Sequence, residues 1–519
     1  MSSSQLPHPN EDPDHENEDD VFLDASDAAE EIPADEDQPM EDFSDDGGEE
    51  MSFQNDSIAH FDQHTDSIFC IAQHPIHPSI IITGSGDDTA YIFNSAAEKP
   101  LLPRSYESNP QSKGERESLP VIAKLDGHTD SVNAVAFTEP RGEYVVTAGL
   151  DGKLRAWCDV SPGKTGLSWK FLAEVQEVEE INWIATCPVN GPGGDAENKN
   201  LIALGANNGS VWVYRIDAQD EAEPISMVAC YFQHTESCTA GAWTPDGKLL
   251  ATVSEDACFY VYDVFGAAAA AGVASSAGTQ VVVSLTAQDQ RFAVEGGLYS
   301  IAMAPTGAFA AVGGAEGHIK VVGLPRIPLS TTTGANKSKS KARTAAAAPV
   351  AGGGAGTLLA SLQAQTDGIE TLSFSSPPLT LLAAGAVDGS IALFDTAHRF
   401  AVRRHIRSAH EDTAVVKVEF VHDHQTTPGQ QAVSAATSNS RSWLLTSVGM
   451  DGVVRRWDTR GGTAAAGYGL VKEWRGHLGM TENEEGEQSG GILGFVQGGE
   501  GGKRIVTAGD DGVALVFEE

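Results

Sequence analysis

The side chains of this sequence that could take part in binding chemistry are mainly carboxylates, which stand at matched positions of a repeating pattern. Several histidines are followed two residues later by an acid, as at His64 and Asp66 or at His128 and Asp130. Carboxylates gathered on one face of a protein focus a negative potential, which attracts a peptide rich in Lys and Arg. The candidates for such a face are Asp66, Asp88, Asp130, Glu177, Glu179, Glu180, Trp183, Glu236, Glu255, Asp367, Glu370, Asp412 and Asp510.

Two explanations of this acidic set remain open at the level of sequence. Turns favour Asp and Glu for conformational reasons, so a partner is not needed to explain every acid. Against that explanation, the acids recur on what would be a single face of the fold. The aromatic residues Trp183 and Tyr299 could stack on arginine there, or could simply lie in the core. We interpret the set as an acidic face that binds a basic peptide.

A second group of polar side chains suits a structural hydrogen-bond network better than catalysis. In the segment Leu125–Trp157, a carboxylate can accept from histidine, a hydroxyl can bridge, and an indole N–H can donate. Such a network would hold the loop before one strand to the turn before another, and we call it the clasp. The two complete sets are His128, Thr147, Asp151 and Trp157, and His410, Ser447, Asp451 and Trp457.

Motifs of catalysis and of metal binding are not found in a suitable context. The sequence contains no nucleophile elbow, phosphate-binding loop, zinc-protease helix or dinucleotide fingerprint. His74 with His77, and His422 with Asp423 and His424, have spacings like those of metal ligands. Both groups fall in predicted loops without a nearby cysteine cluster, where exposed histidines are the simpler explanation. We therefore expect no catalytic residues, no metal and no cofactor.

The net charge of −40 narrows the class of partner. Residues 1–50 contain 20 acidic residues and no Lys or Arg, so residues 1–52 are predicted to form a disordered acidic tail. The remaining chain still has 53 acidic against 33 basic residues. Nucleic acid and anionic membranes would be repelled by such a protein, so neither is expected as a direct partner.

Cysteine usage and hydropathy indicate where the protein works. The six cysteines show no C-x-x-C spacing, and the chain does not start with a basic segment followed by an apolar one. No apolar run approaches the length of about 18 residues that a membrane helix needs. These features predict a reduced intracellular protein, which we expect to be a monomer.

The elements that must position these residues are short strands in a repeating unit. Period-2 alternation, β-branched residues and turn dipeptides predict antiparallel strands throughout residues 53–519. The unit spacing of 48 to 72 residues exceeds the ~40–45 residues of a compact four-stranded propeller repeat, so loops are inserted, the longest at about 325–357. Eight turns carry an Asp, Asn or Glu at one position, namely Asp87, Asp151, Asn208, Asp256, Glu316, Asp388, Asp451 and Asp511.

The eight units predict an all-β, eight-bladed β-propeller. The last unit ends after its third strand, and an unassigned strand-like run lies at Ser57–Phe61. Pairing this run with Val513–Phe517 would close the ring and remove two open sheet edges. Units three, five and six have Glu177, Val294 and Gln365 near the histidine position, so we expect those blades to be held mainly by packing.

These repeats resemble the WD-repeat β-propeller family. The resemblance is carried by Gly127-His128, Gly476-His477 and Trp457-Asp458, and it covers most of residues 53–519. More specific segments resemble the family of the angio-associated migratory cell protein and its fungal counterparts. They are Asp87–Tyr91, Glu179–Trp183, Gly368–Asp395, Asp451–Asp458 and Trp474–His477.

This resemblance implies a dedicated chaperone for ribosome biogenesis. Fungal proteins of this kind capture the basic N-terminal segment of one newly made large-subunit ribosomal protein and deliver it to pre-ribosomes. The implied partner fits the acidic face, which was inferred separately from the residues. The implied location is the cytoplasm, with the nucleus as a further possibility.

Two other functions remain as alternatives. Trp457-Asp458-Thr459-Arg460 is a W-D-x-R tetrapeptide, of the kind with which substrate receptors of ubiquitin ligases dock a cullin adaptor. The tetrapeptide is also common in propellers for structural reasons. The third possibility is a general protein-interaction scaffold.

Overall fold

The structure is a computed structural model, which describes residues 54–96, 117–161, 168–189, 198–273, 280–327, 354–422, 441–482, 488–499 and 501–519. The predicted acidic tail, most of the insertion at 325–357, and Asp423 and His424 lie outside these residues. The disorder of the tail and the domain boundary after residue 52 therefore stay predictions.

The described residues form eight four-stranded antiparallel sheets, which are the blades, and one two-stranded hairpin. The first strand of the chain is β1, Ala59–Phe61. Blade 1 contains β2 (Ile68–Gln73), β3 (Ile80–Ser85), β4 (Ala90–Asn94) and β5 (Val121–Leu125). Blade 2 contains β6 (Val132–Phe137), β7 (Tyr144–Gly149), β8 (Lys153–Asp159) and β9 (Trp169–Gln176). Blade 3 contains β10 (Ile181–Thr186), β11 (Leu201–Ala206), β12 (Val211–Ile216) and β13 (Ile225–Tyr231).

Blades 4 to 7 repeat this order of four consecutive strands. Blade 4 contains β14 (Cys238–Trp243), β15 (Leu249–Ser254), β16 (Phe259–Asp263) and β17 (Val281–Leu285). Blade 5 contains β18 (Leu298–Met303), β19 (Phe309–Gly314), β20 (His318–Gly323) and β21 (Leu358–Gln363). Blade 6 contains β22 (Ile369–Phe374), β23 (Leu381–Ala386), β24 (Ile391–Asp395) and β25 (Ala401–Ile406). Blade 7 contains β26 (Val415–Phe420), β27 (Leu444–Gly449), β28 (Val453–Asp458) and β29 (Leu470–Arg475).

Blade 8 is completed by the first strand of the chain, and the remaining elements are short. Blade 8 contains β32 (Ile492–Gly498), β33 (Arg504–Gly509), β34 (Ala514–Glu518) and β1. The hairpin contains β30 (Thr481–Glu482) and β31 (Gln488–Ser489). The helical segments that lie within the described ranges are α1 (Ala267–Ala270) and 3₁₀ turns at Ala315–Gly317, Thr396–His398 and Ala464–Gly469. No helix in the described ranges is long and apolar enough to cross a membrane.

Closure of the ring occurs where the sequence predicts it. Strand β1 pairs antiparallel with β34, with Ala59 opposite Val516 and Phe61 opposite Ala514. Phe61 is fully buried and stacks on Phe93 of blade 1, with ring centroids 4.3 Å apart. The first strand therefore completes blade 8 and also packs against blade 1. The prediction of an eight-bladed propeller closed by an N-terminal strand is confirmed.

The hydrophobic core lies between the blades. The buried apolar residues fall into eight clusters, and each cluster joins two neighbouring blades. A sheet in a repeat array cannot bury both faces by itself, so each blade depends on its two neighbours for the burial of apolar area.

Two kinds of connection recur in every blade, and they meet on one side of the ring. We call the loop before the first strand of a blade its leading loop, and the turn between its second and third strands its central turn. In blade 2 the central turn contains Gly152 at φ +72°. A Cβ there would come within 2.1 Å of the carbonyl oxygen of Val178, in the leading loop of blade 3. Glycine is needed because the next loop packs directly on this turn.

The clasp joins the leading loop to the central turn of the same blade. His128 lies with Nδ1 3.0 Å from Asp151 Oδ1 and Nε2 2.7 Å from Thr147 Oγ1. Four other blades contain the same arrangement, formed by His64, Thr83 and Asp87; His234, Thr252 and Asp256; His410, Ser447 and Asp451; and His477, Thr507 and Asp511.

The fourth member of the clasp differs between the two blades expected to have it. In blade 7 the indole N–H of Trp457 donates to Ser447 Oγ at 2.8 Å. Among the described residues of blade 2, Trp157 makes no matching bond to Thr147, although the tryptophan is only 4% exposed. Its ring packs edge-on against Phe171 at 5.9 Å instead. The expectation of a four-membered network in blade 2 is therefore corrected to three members.

Blade 6 corrects a second expectation, that a blade without the histidine is held mainly by packing. Gln365 takes the place of the histidine, and its Nε2 donates to the carbonyl oxygen of Ser390 at 2.9 Å and to Ser390 Oγ at 3.0 Å. The backbone N–H of Thr366 donates to Asp388 at 2.9 Å. An amide can thus replace an imidazole because it also offers a short side chain with an N–H donor.

Every blade has a β-bulge in its first strand, which the period-2 pattern did not predict. In blade 1, Ile68 pairs with Ser85 and Cys70 pairs with Gly84, so Phe69 is the extra residue. A bulge changes the direction of one side chain without ending the strand. The extra residues of blades 1 to 8 are Phe69, Asn133, Asn182, Thr239, Tyr299, Glu370, Val416 and Leu493.

The ring closure can be tested by truncation. Deletion of residues 1–62 removes β1 and should lower the melting midpoint strongly, since loss of a buried Phe side chain alone costs about 3–5 kcal/mol. Deletion of residues 1–50 keeps β1 and should leave the midpoint close to that of the full chain. Scanning calorimetry of both truncations makes the comparison, and equal midpoints would contradict the closing role of β1.

The clasps also predict how stability depends on pH. Burial lowers the pKa of His64, His128 and His410 below the usual histidine value, and this outweighs the opposing effect of the paired carboxylates. The unfolded chain therefore binds more protons than the folded chain below about pH 6.5, so acidification should destabilise the folded state. We expect the melting midpoint to fall between about pH 7 and about pH 5.

A variant with two glutamines isolates the histidine contribution. His128→Gln with His410→Gln imitates blade 6 and removes two titrating groups, so its midpoint should fall less over the same pH interval than that of the natural chain. Protonation of the carboxylates outside these two clasps affects both proteins alike and cancels in the comparison. Parallel pH profiles for the two proteins would refute the clasp contribution.

Candidate functional site

Eleven of the twelve candidate carboxylates lie in the leading loops and central turns, on the side of the ring that holds the clasps. We call this side the clasp face. The candidates in leading loops are Asp66, Asp130, Glu177, Glu179, Glu180, Glu236, Asp367 and Asp412. The candidates in central turns are Asp88, Glu255 and Asp510, and those on first strands are Trp183 and Glu370. All are exposed except Asp88, Trp183 and Asp510, which are half-buried.

The candidate carboxylates and the clasp carboxylates of this face differ in their contacts. Within the described part of the chain, none of the twelve candidate Asp and Glu side chains forms an ion pair with Lys or Arg. The clasp carboxylates differ, because they accept hydrogen bonds from the fold. Asp151, for example, accepts from His128 and from the backbone N–H of Thr129 and Lys153.

Some candidates from different blades lie near one another. Asp88, in the central turn of blade 1, has a raised pKa because of desolvation and then because of the negative charge of Asp130, in the leading loop of blade 2. Its backbone has φ +61°, in the left-handed region that Asp tolerates better than most residues. The fold thus places two like charges side by side at the junction of blades 1 and 2.

A second group spans blades 4 to 6. Burial raises the pKa of the Tyr299 phenol, and the negative charges of Glu255 and Glu370 raise it further. Partial desolvation also raises the pKa of Glu370, and the negative charge of Asp367 contributes further. Tyr299 is 37% exposed. An exposed aromatic ring among three carboxylates can hold a guanidinium or ammonium group by stacking and by charge.

The junction of blades 8 and 1 brings the last and the first blade of the chain together on this face. Ser67 Oγ donates to the carbonyl oxygen of Asp510 at 3.0 Å. The carboxylate of Asp66 lies against Gly86, where an added Cβ would be 2.8 Å from Oδ2. Asp66 and Asp510 therefore flank the same junction.

Trp183 contributes mainly to packing. Its indole N–H donates to the carbonyl oxygen of Cys238 at 3.1 Å, across the junction of blades 3 and 4. Its ring fills the space beside Gly205 and Gly241, where a Cβ would come within 2.3 Å and 2.0 Å of it. The alternative that this residue lies in the core fits these contacts better than stacking on arginine, although the side chain keeps partial exposure.

The remaining candidates stand at separate points of the ring. Glu179, Glu180, Glu236 and Asp412 are exposed in the leading loops of blades 3, 4 and 7. Glu177 lines a small cavity with Trp212 and Tyr214 of blade 3. The acidic set is therefore spread around the ring and does not form one compact cluster, which suits an extended ligand better than a small one.

The metal-like histidine spacing of the sequence has a structural explanation at His74. Its Nδ1 accepts from the backbone N–H groups of Ile76 and His77, both at 3.1 Å, and so shapes the loop between β2 and β3. Burial, together with the smaller effect of the neighbouring His77, lowers the pKa of His74 to about 4. In the described ranges, no three His, Cys, Asp or Glu side chains are arranged to hold a metal ion.

The W-D-x-R tetrapeptide lies at the end of β28 that is remote from its central turn, and hence away from the clasp face. Arg460 Nη2 is 2.6 Å from Asp458 Oδ2. Trp457 and Thr459 are buried. The tetrapeptide thus ties the end of the strand to the following loop.

Comparison with known proteins agrees with this architecture. The model of the WD domain, G-beta repeat, matches residues 55–94, 120–158 and 356–395. The crystal structure of Chaetomium thermophilum Sqt1 bound to the N-terminus of the ribosomal protein L10 is similar, with 50% sequence identity and a TM-score of 0.71. That alignment covers 90% of this chain and 100% of the other.

Curated relatives support the same assignment at lower identity. Ribosome assembly protein SQT1 of Saccharomyces cerevisiae is 31% identical over 214 residues, which cover 41% of this chain and only 41% of that protein. The human angio-associated migratory cell protein is 22% identical over 82% of this chain and 74% of its own length. The match at 50% identity to the Chaetomium thermophilum protein, over 90% of this chain, shows that this chain belongs to the Sqt1 family of WD-repeat β-propellers.

Proposed function

We propose that this protein is a non-enzymatic chaperone in ribosome assembly. Its clasp face binds the basic N-terminal segment of a newly made large-subunit ribosomal protein, which in the similar Chaetomium thermophilum complex is L10. The supporting observation is the set of twelve carboxylates around the ring that have no Lys or Arg ion-pair partner among the described residues. We further propose that capture takes place in the cytoplasm, where ribosomal proteins are made.

The negative charge of this face should increase the rate at which it captures a basic peptide. A surface lined by one sign of charge raises the association rate of an oppositely charged partner by ~10–10³-fold, and salt reduces the gain. The association rate should rise most for a partner that is basic and unfolded before assembly, because its charges can reach separate points of the ring. The carboxylates themselves do not need to form one compact pocket.

Reversal of five exposed charges should abolish capture. A variant with Asp66, Asp130, Glu179, Glu180 and Glu236 all changed to Lys keeps every clasp residue, so it should fold. Its affinity for a synthetic peptide of the L10 N-terminal segment should fall by more than about a hundredfold, because attraction becomes repulsion at several points. Isothermal calorimetry at physiological salt measures the loss.

The matched control places the same change of charge elsewhere on the molecule. Asp217, Asp220, Glu221, Glu223 and Asp246 are exposed in loops at the opposite end of the blades. Their replacement by Lys alters net charge equally, so a similar loss of binding in this control would show that only overall charge matters. Unchanged affinity in the clasp-face variant would overturn the proposed binding face.

The cullin-adaptor alternative predicts a different partner. A pulldown from the native host should recover a free basic ribosomal protein under the chaperone proposal, and a cullin adaptor under the alternative. Arg460→Ala should leave the recovery of the ribosomal protein unchanged and abolish the recovery of the cullin adaptor. Recovery of the adaptor alone would refute the chaperone proposal.

A further inference from the structure

The bulged residues divide the ring into two arcs of different chemistry. In blades 2 to 4 they are Asn133, Asn182 and Thr239, which are polar. In blades 5 to 8 and blade 1 they are Tyr299, Glu370, Val416, Leu493 and Phe69. Because a bulge redirects a side chain, these eight residues occupy equivalent places at the clasp-face end of each first strand.

The polar bulged residues of blades 2 to 4 form hydrogen bonds that join neighbouring blades. Asn133 Nδ2 donates to the carbonyl oxygen of Ile181 at 2.6 Å, at the start of the first strand of the next blade. Asn182 Nδ2 donates to Cys238 at 3.0 Å, and Thr239 Oγ1 donates to Leu298 at 2.6 Å. Each of these side chains reaches the start of the following first strand. These three hydrogen bonds therefore show that a bulged side chain lies at the junction between its own blade and the next one.

The other arc makes no such bonds in the described structure and exposes apolar surface instead. Phe69 is 41% exposed and Tyr299 is 37% exposed, while Val416 and Leu493 are half-buried. The Phe69 ring lies beside Gly86, where an added Cβ would be 3.2 Å from the ring and 2.8 Å from the Asp66 carboxylate. An exposed phenylalanine therefore stands directly next to one of the candidate acids.

The order of residues along this arc separates charge from apolar surface. Tyr299 and Glu370, of blades 5 and 6, belong to the group of acids that also contains Glu255 and Asp367. Val416, Leu493 and Phe69 follow in blades 7, 8 and 1. Leu493 holds the bulged position in the blade that directly precedes that of Phe69 in the ring. The arc thus runs from an acidic, aromatic part to an apolar part.

We propose that the apolar part of this arc, Val416, Leu493 and Phe69, binds an apolar side chain of the captured peptide, while Tyr299 and Glu370 receive one of its Lys or Arg side chains. This inference rests on the proposed function and adds a specificity element to it. The occupant is a basic peptide with one aliphatic or aromatic residue, because Phe69 lies beside the carboxylate of Asp66, which has no cationic partner among the described residues. Anchors of this kind supply most of the affinity of an interface when they are surrounded by polar contacts.

A pair of substitutions separates the two parts of the arc. Phe69→Ser should weaken binding of the L10 N-terminal peptide about tenfold through lost apolar burial, with the salt dependence of the affinity unchanged. Glu370→Gln should weaken binding and also reduce the salt dependence, since it removes a charge. Calorimetry at two salt concentrations gives both quantities, and the melting midpoint of each variant reports its folding.

An exposed apolar residue of the same blade provides the matched control. Ile76 is 52% exposed in the loop between β2 and β3, at the opposite end of the blade, so Ile76→Ser should leave the affinity unchanged. An alanine scan of the peptide should find an apolar position whose replacement weakens binding to the natural protein and has little further effect on Phe69→Ser. This coupling would identify the residue that meets Phe69.

The outcomes distinguish this inference from the function on which it rests. If Phe69→Ser binds like the natural protein while the five-lysine variant does not bind, the acidic face stands and the apolar contact is refuted. A scan in which no apolar position of the peptide matters refutes it equally. If the natural protein itself does not bind the peptide, the proposed function fails.

Discussion

Closure of the ring is the constraint on which the rest of the structure depends. Each blade buries apolar residues against two neighbours, and the eight clusters form a closed series. The cluster between blades 8 and 1 is the one that needs residues from both ends of the chain, with Phe61 and Val516 on one side and Ile68 on the other. Without β1, blade 8 would lose its outer strand and β34 would present an unpaired edge. The clasp face can hold a fixed set of carboxylates because the loops that carry them belong to a closed ring.

On that face, acidic residues divide into two sets with different tasks. In the clasps, burial alone would raise the pKa of Asp151, but hydrogen bonds from His128 and from backbone N–H groups lower it, so the carboxylate stays charged and bound to the fold. Asp130, two residues after the histidine, is exposed and has no cationic partner among the described residues. The pattern His-x-acid in the sequence therefore encodes a structural residue and a neighbouring surface charge together. A repeat that is selected for its clasp can vary its surface charge without loss of fold.

The sequence alone predicts the features that depend on neighbouring residues in the chain, and it misses those that depend on contacts between distant residues. Turn dipeptides and strand alternation are local, and they predicted the eight blades and the strand that closes them. The hydrogen bonds of Gln365, which stands at the histidine position of blade 6, were missed because their acceptor, Ser390, is defined by geometry and not by spacing. Bulges were missed for a related reason: one extra residue changes the register of backbone pairing, while the alternation of apolar residues around Phe69 hardly changes. The packing of Trp183 depended on two glycines from different blades, which no local pattern joins.

Charge and shape must contribute differently to the choice of a partner. A negative face attracts any basic segment, and long-range attraction decays over about 8 Å at physiological salt, so it hardly distinguishes one basic protein from another. Discrimination needs contacts of short range, which depend on the order of residues in the peptide. The arc from Glu370 to Phe69 offers such contacts in a fixed order, because the bulges set the spacing of its side chains at one position per blade. A peptide with an apolar residue and a basic residue at the matching separation makes both the apolar contact and the contact with the carboxylates. A basic peptide with another order of residues makes only the contact with the carboxylates.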